Sequence, residues 1–238
     1  MTGRTRTWRY PAPVVENLLA LTGLAAVGVL VAWFVIAFLI DRFGTLDSSV
    51  WDPISGIAVW YTAFIGGYVM YEVLPKFVAN GRTRRDSAIE MGIFGVIHTV
   101  AVSVVLTLGF AIERAVFSLL DWRQGVPEDR IFDSFTDYPL IFIASLISVA
   151  AGTAAGALIG IGFYRDTWRG ILAVLLVMAL GSFQSGSTGL IWGPFGWLAA
   201  RLDIVWDTAM TVTIALIGVA VSIAVAWVFA RDVPLHNK

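Results

Sequence analysis

The chain has 238 residues, of which 58% are hydrophobic and only 14% are charged, and its mean hydropathy is +0.81. A soluble domain typically carries about 25% charged residues, so this composition excludes an ordinary soluble protein and indicates an integral membrane protein. The net charge of −1 offers no basic field for nucleic acid, and the absence of cysteine excludes disulfides, thiolate metal sites and cysteine nucleophiles.

Six apolar stretches are long enough to cross a bilayer, which takes about 20 mostly apolar residues in a helix. Because unpaired backbone groups are too costly in lipid, each stretch is predicted to be a complete helix. The sequence therefore predicts an all-α integral membrane fold, with residues 1–238 forming a single transmembrane domain. The six predicted spans are residues 18–40, 54–78, 88–112, 138–163, 169–190 and 205–230.

The longest polar connection, residues 113–137, follows the third span. Its first part, "ERAVFSLLDW", has the pattern of an amphipathic helix lying on the outer leaflet. The fifth span runs into "GSFQSGSTGLIWGPFGW", where Gly, Ser and Pro194 interrupt a continuous helix. Residues 185–204 are therefore predicted to form a re-entrant or interfacial outer segment before the last helix, with aromatic rings at the headgroup level.

The distribution of arginine and lysine predicts the orientation. With the N-terminus inside, 11 of the 16 basic residues fall in cytoplasmic segments, which satisfies the positive-inside rule and places both termini in the cytoplasm. The basic residues assigned to the inside are Arg4, Arg6, Arg9, Lys76, Arg82, Arg84, Arg85, Arg165, Arg169, Arg231 and Lys238.

A short basic stretch, "FVANGRTRRDSAIEMG" at residues 77–92, connects the second and third spans. Asn80 and Gly81 suit a turn because both tolerate left-handed backbone. Thr83 is a candidate cap for a following helix, with Asp86 and Glu90 in its first turns. The pattern predicts a compact cytoplasmic elbow that a partner protein can push. The alternative is that its arginines serve only as topology signals.

The order "NGRTRRD", after a Pro-ended second span and before a third, resembles the ABC-2-type permease subunits of bacterial ABC transporters. The resemblance implies a bacterial inner-membrane protein with six spans, an outer re-entrant segment and an elbow that forms a short cytoplasmic coupling helix. In that family the elbow docks on an ATPase subunit. The implied contact residues are Asn80, Gly81, Arg82, Thr83, Arg84, Arg85 and Asp86.

The resemblance also implies a dimer, either of this chain or with a related permease. Spans one, two and five would open the path for an exported amphipathic or hydrophobic cargo. Membrane lipid is expected to surround the spans. No G-x-x-x-x-G-K-[ST] motif occurs, so the chain itself is not expected to be an enzyme, to hold a cofactor or to bind a metal. ATP and magnesium are expected in a separate ATPase partner.

Two carboxylates flank the elbow. Glu72 is spaced to pair with Lys76 at i,i+4, and Glu90 is expected to pair with Arg85 or a neighbouring arginine. The alternative is a role in conformational coupling or substrate contact, because carboxylates near a membrane interior are costly.

Two intramembrane features have both a structural and a functional interpretation. His98, in the third span, is expected to be a hydrogen-bonded packing residue, with a proton site or haem ligand as the alternative. Gly152, Gly156 and Gly160 lie on one face of the fourth span, where small residues let helices approach closely. They predict a contact within the chain or, alternatively, a dimer seam.

Other classes of function remain as alternatives. A proton-coupled secondary transporter would need buried carboxylates in mid-membrane, often in two repeated halves. A non-transporting scaffold or sensor subunit would use the elbow to hold another partner. "SGSTG" at residues 185–189 suggests a rhomboid-like serine, but spans four to six contain no histidine to act as its base.

Overall fold

The computed structural model describes residues 12–44, 48–122, 125, 134–185 and 208–231, and all regular structure in these ranges is helical. A π-helical segment, Val69–Val73, joins α2 to α3 without a break. The α-helices are α1 (Ala12–Phe43), α2 (Trp51–Tyr68), α3 (Leu74–Ala79), α4 (Arg84–Leu119), α5 (Tyr138–Arg165), α6 (Thr167–Ser185) and α7 (Thr208–Arg231).

Four helical stretches are long and apolar enough to cross a membrane. They are Glu16–Phe43, Trp51–Ala79, Arg84–Leu119 and Tyr138–Arg165. Helices also occupy the last two predicted positions, but their described apolar parts, Thr167–Ala179 and Ala215–Arg231, are shorter. The membrane-helix prediction is thus confirmed for the first four spans. The predicted re-entrant segment lies outside the described residues, except for Ser185 at the end of α6.

Helix α5 is the centre of the bundle, since it packs against α2, α4, α6 and α7. Helix α1 lies at the edge of the bundle, and most of its apolar residues are exposed. Arg165, at the end of α5, donates a hydrogen bond to the Phe229 carbonyl near the end of α7 over 3.2 Å. The ends of α5 and α7 therefore meet. We call this end, together with residues 80–83, the elbow end.

Glycines hold α2 and α5 at backbone contact. A Cβ at Gly156 would overlap the backbone of Ala63, and one at Gly160 would overlap that of Gly67. Gly152 faces the Val59 carbonyl in the same way, one turn earlier. The predicted glycine face of the fourth span is therefore a contact within the chain, where small residues allow two helix backbones to touch.

The π-helical segment precedes Pro75. A proline lacks the N–H that an α-helix needs, and its ring crowds the carbonyl four residues earlier. The chain responds by widening one turn, so that the Leu74 N–H donates to the Val69 carbonyl. Such π-bulges often occur where a helix serves a function. Here the bulge lies within two turns of the elbow.

Helix α4 is longer than predicted. Residues 113–119 continue the helix to Leu119, so the prediction of a separate amphipathic helix starting at Glu113 is wrong. The physical reason is that Glu113 is fully buried and its carboxylate accepts hydrogen bonds from neighbouring groups. Phe110 and Phe117, one helical turn away on either side, are buried as well. A charged residue therefore sits inside the helical bundle.

Candidate functional site

The elbow is a four-residue turn between α3 and α4. Gly81 adopts a φ of +83°, which glycine reaches without the steric cost that a Cβ imposes. Thr83 has extended backbone, and its hydroxyl accepts a hydrogen bond from the Asp86 N–H over 3.1 Å. That bond satisfies one of the free N–H groups at the start of α4. The predicted turn and cap residues therefore occupy the positions that the sequence pattern indicates.

The elbow leads directly into a long helix. The family resemblance implied a short coupling helix here, whereas Arg84 begins the 36-residue helix α4, which runs without interruption to Leu119. The cap at Thr83 starts this helix directly, so Arg84, Arg85 and Asp86 form the first turn of the third span. Any force on the elbow therefore acts on the end of a long helix.

Arg82 fixes the shape of the elbow. Its guanidinium forms an ion pair with Glu90, which is largely buried, and lies 4.8 Å from the centre of the Phe77 ring. Glu90 therefore pairs with Arg82 rather than with Arg85. The contact joins the turn to the second turn of α4 on one side and to α3 on the other.

The outward side of the elbow is formed by exposed residues. Asn80, Gly81, Thr83, Arg84 and Arg85 are all exposed, while Arg82 and Asp86 are half-buried. The seven predicted contact residues thus divide into five that are open to a partner and two that belong partly to the scaffold. The exposed guanidinium groups of Arg84 and Arg85, in the first turn of α4, form a surface that favours acidic partners.

Glu72 lies in the π-helical segment, and its carboxylate is 2.8 Å from the Lys76 ammonium. Both side chains are well exposed, so the pair contributes little to stability. The two predicted flanking carboxylates therefore differ: Glu90 is part of the elbow scaffold, whereas Glu72 makes a surface pair.

A cavity of about 480 Å³ lies between α2, α4, α5 and α7, near the elbow end. Its lining is apolar and includes Met70, Met91, Phe94, Leu146, Ile223 and Trp227. The volume lies in the range of about 300–1,000 Å³ that is typical of ligand pockets. This space is not between spans one, two and five, where the sequence placed the path.

The start of α4 connects the elbow with the cavity. Ala88 and Ile89 line the cavity, and they follow Arg84 and Arg85 by one helical turn. A displacement of the elbow therefore moves one wall of the cavity directly.

A second polar centre, far from the elbow, was missed by the sequence reasoning. Glu113 has no exposed surface, and its carboxylate accepts hydrogen bonds from at least four donors. The Trp33 indole N–H and the Ser49 hydroxyl donate over 3.1 and 2.6 Å. The backbone N–H groups of Val50 and Trp51 donate over 2.9 and 2.8 Å.

Glu113 caps α2 from another helix. Val50 occupies the N-cap position of α2 and has no side chain that could accept a hydrogen bond. The carboxylate of Glu113 takes this role and places negative charge at the positive end of the helix dipole. Since Trp33 belongs to α1, a single carboxylate ties α1, α2 and α4 together.

The room for this centre comes from Gly109. The Trp51 indole lies where a Cβ of Gly109 would be, and its N–H donates to the Leu106 carbonyl over 3.0 Å. Trp33 packs edge-on against Trp51, with 6.4 Å between ring centroids. A signal was present in the sequence, because two tryptophans near span ends need hydrogen-bond acceptors and Glu113 follows an apolar run directly.

His98 is completely buried, and neither of its ring nitrogens has a hydrogen-bond partner among the described residues. Its ring stacks on Phe94 at 5.4 Å between centroids and lies 6.1 Å from that of Tyr61. The expected packing role agrees with these ring contacts, but the described part of the chain provides no partner for the expected hydrogen bond. Buried polar groups usually have partners, so His98 is a polar group held at a cost.

No family model matches the chain, and no curated protein or solved structure matches it either.

Proposed function

We propose that this chain is the membrane-spanning permease subunit of an ABC-2-type bacterial transporter. In this proposal it has six spans, lies in the inner membrane with both termini in the cytoplasm, and pairs with a second copy or a related permease. A separate ATPase subunit binds the elbow and supplies the energy. The observation that carries the proposal is the elbow itself, an exposed basic turn held in one shape by the Thr83 cap and the Arg82–Glu90 ion pair.

The position of the cavity supports the coupling step of the proposal. ATP binding would move the ATPase subunits, and through Arg84 this movement would reach the first turn of α4. Ala88 and Ile89, one turn later, form part of the cavity wall. The apolar lining favours a hydrophobic or amphipathic cargo over a sugar or an ion. The chain's own contribution is conformational, and hydrolysis takes place in the partner.

The proposal is tested by asking what co-purifies with the tagged protein from its native membrane. We expect a stoichiometric soluble ATPase with the wild type, and its loss with Arg84→Glu. Arg84 is suitable because its side chain is exposed and it is not a member of the Arg82–Glu90 ion pair that holds the elbow. The matched control is Arg169→Glu, which reverses an exposed arginine at the elbow end of α6 and should leave the partner bound.

Two results would count against the proposal, the first against the permease and the second against the elbow as its docking site. A clean complex with a partner that lacks ATPase activity would support a scaffold or sensor subunit instead. Equal loss of the ATPase with Arg169→Glu would show that the end of the bundle acts by general charge, with no specific role for the elbow.

A proton-coupled secondary transporter is the second candidate. It is favoured by two buried ionisable groups within long apolar helices, Glu113 and His98. Intramembrane ionisable groups are costly and often belong to proton pathways. The test is proton flux into vesicles that contain the purified chain alone. Flux without ATP, abolished by Glu113→Gln, would support this candidate over the permease.

A further inference from the structure

The cavity opens sideways between α4 and α7. Three of its lining residues are also on the outer surface of the bundle: Val96 is 65% exposed, Ile223 is 56% exposed and Trp227 is 43% exposed. In a membrane this surface faces lipid chains. Because the lining is apolar and open to the side, the cavity is accessible to an acyl chain without passage through water.

Both rims of this opening end in an arginine at the elbow end. On α4, the stripe Arg85–Ile89–Gly92–Val96 follows the spacing that places residues on one helix face. On α7, Ile223, Trp227 and Arg231 follow the same spacing. All the other members of the two stripes line the cavity, and both arginines are exposed.

Among the described residues, the charged members of the two rim stripes are both arginines. Arg85 belongs to the first turn of α4, where the free N–H groups of the helix also favour an anion. The two carboxylates nearest to Arg85 in the sequence of α4, Asp86 and Glu90, lie on other faces of the helix, and Glu90 is held by Arg82. An apolar slot with two arginines at one end is complementary to an anionic amphipath.

We propose that an anionic phospholipid of the leaflet at the elbow end binds this site. One acyl chain fills the cavity, and the phosphate lies between Arg85 and Arg231. A basic pocket between transmembrane helices is a known physical basis for recognising anionic headgroups. The proposal does not depend on the ATPase partner. It needs only that the chain spans the membrane.

The size of the headgroup preference follows from general electrostatics at a membrane surface. A basic residue near a membrane surface favours an anionic over a neutral lipid by about five-fold. The acyl chain itself has no such preference, because its contacts are apolar. The two contributions can therefore be separated by changing the arginine and the cavity independently.

The test uses the full chain in vesicles that contain a trace of photoactivatable phospholipid with a diazirine in its acyl chain. Phosphatidylglycerol and phosphatidylcholine versions are compared, and the labelled peptides are identified by mass spectrometry. We expect labelling of residues 88–100 and 219–230, at least about five-fold stronger with phosphatidylglycerol.

Gly92→Phe tests the cavity. A Cβ at Gly92 meets nothing within 4 Å, and because Gly92 lines the cavity, a phenyl ring there is expected to occupy space that the acyl chain would fill. This variant should lose most of the labelling with both lipids. The matched control is Gly28→Phe, at an exposed glycine of α1 that also has nothing within 4 Å of its Cβ. The control should label as the wild type does.

Arg85→Gln tests the headgroup without touching the cavity. It should keep the labelled positions and lower the preference for phosphatidylglycerol by about five-fold. This arm remains informative if Gly92→Phe fails to fold. Binding of the ATPase to Arg85→Gln is measured in parallel, so that failure of the lipid site is distinguished from failure of the elbow as a docking site.

Three results would overturn the proposal. They are equal labelling by the two lipids in the wild type, unchanged labelling in Gly92→Phe, or no labelling of α4 and α7 at all.

Discussion

Replacing Glu113 gives the sharpest prediction about stability. Glu113→Ala removes an acceptor from the Trp33 indole, the Ser49 hydroxyl and the N–H groups of Val50 and Trp51. A buried donor left without a partner costs about 1–3 kcal/mol, and a hydrogen bond to a charged group contributes about 1.5–3 kcal/mol. Because these costs do not add fully, we expect a loss of about 4 kcal/mol in the free energy of unfolding.

Glu113→Gln should have a smaller effect. The amide has the same shape and keeps one acceptor oxygen, which can serve the donors at the start of α2. It loses the charge that strengthens these hydrogen bonds and that interacts with the helix dipole, so we expect a loss of about 1–2 kcal/mol. The order of stability should therefore be wild type, then Gln, then Ala.

Unfolding is measured by titrating the purified protein in mild detergent with a denaturing detergent. Tryptophan fluorescence suits this measurement because Trp33 and Trp51 both lie in the centre around Glu113. The control is Glu16→Ala, at an exposed position of α1, which should stay within about 0.5 kcal/mol of the wild type. If Glu113→Ala were as stable as Glu16→Ala, the idea that this carboxylate holds three helices together would be refuted.

Three further changes test other parts of the structure. Gly156→Ala should lower the free energy of unfolding by about 2–4 kcal/mol, because the new Cβ would overlap the backbone of Ala63. Its control, Gly28→Ala, should be neutral, and the same unfolding titration measures both variants. Gly81→Ala should cost about 1 kcal/mol because of its positive φ, and should weaken ATPase co-purification, as measured by pull-down. His98→Phe should leave the free energy of unfolding unchanged or raise it by about 1 kcal/mol, because the ring stacks on Phe94 and its nitrogens have no partner among the described residues. A lower free energy of unfolding would show that the imidazole has a polar role.

Much of the fold was predictable because it depends on local pattern. The apolar stretches locate the helices, since each must be long and self-contained in lipid. The turn at Gly81 and the cap at Thr83 were predictable for the same reason, because both depend on residues next to them in sequence. The Glu72–Lys76 pair has the i,i+4 spacing of a single helix.

The parts that sequence reasoning missed or left open depend on contacts that helix spacing does not show. Glu90 was expected to pair with Arg85 or a neighbouring arginine, and it pairs with Arg82 because the turn folds back on α4. Glu113 ended the predicted third span, since a hydropathy pattern treats a charge as a boundary. Its partners Trp33 and Trp51 lie 80 and 62 residues away, so nothing local shows that the charge is satisfied.

The two ends of the bundle differ in how firmly they are held. At the Glu113 end, one carboxylate satisfies donors from α1 and from the start of α2, and Trp51 fills the space beside Gly109. At the elbow end, a widened π turn and an apolar cavity leave α4 with less support. A partner that pulls on Arg84 would therefore tilt α4 about Glu113 rather than slide it.

The length of α4 sets how far such a tilt reaches. Arg84 and Glu113 are 29 residues apart, which corresponds to a lever of about 44 Å at a rise of about 1.5 Å per residue. Gly95, in the wall of the cavity, lies 18 residues from Glu113, so it would move by about 60% of the displacement at the elbow. A shift of a few ångström at the turn thus moves the cavity wall by more than half as much, while the capped start of α2 stays in place. Under the proposed function, this asymmetry lets a partner change the shape of the cavity without unfolding the polar centre that holds the bundle together.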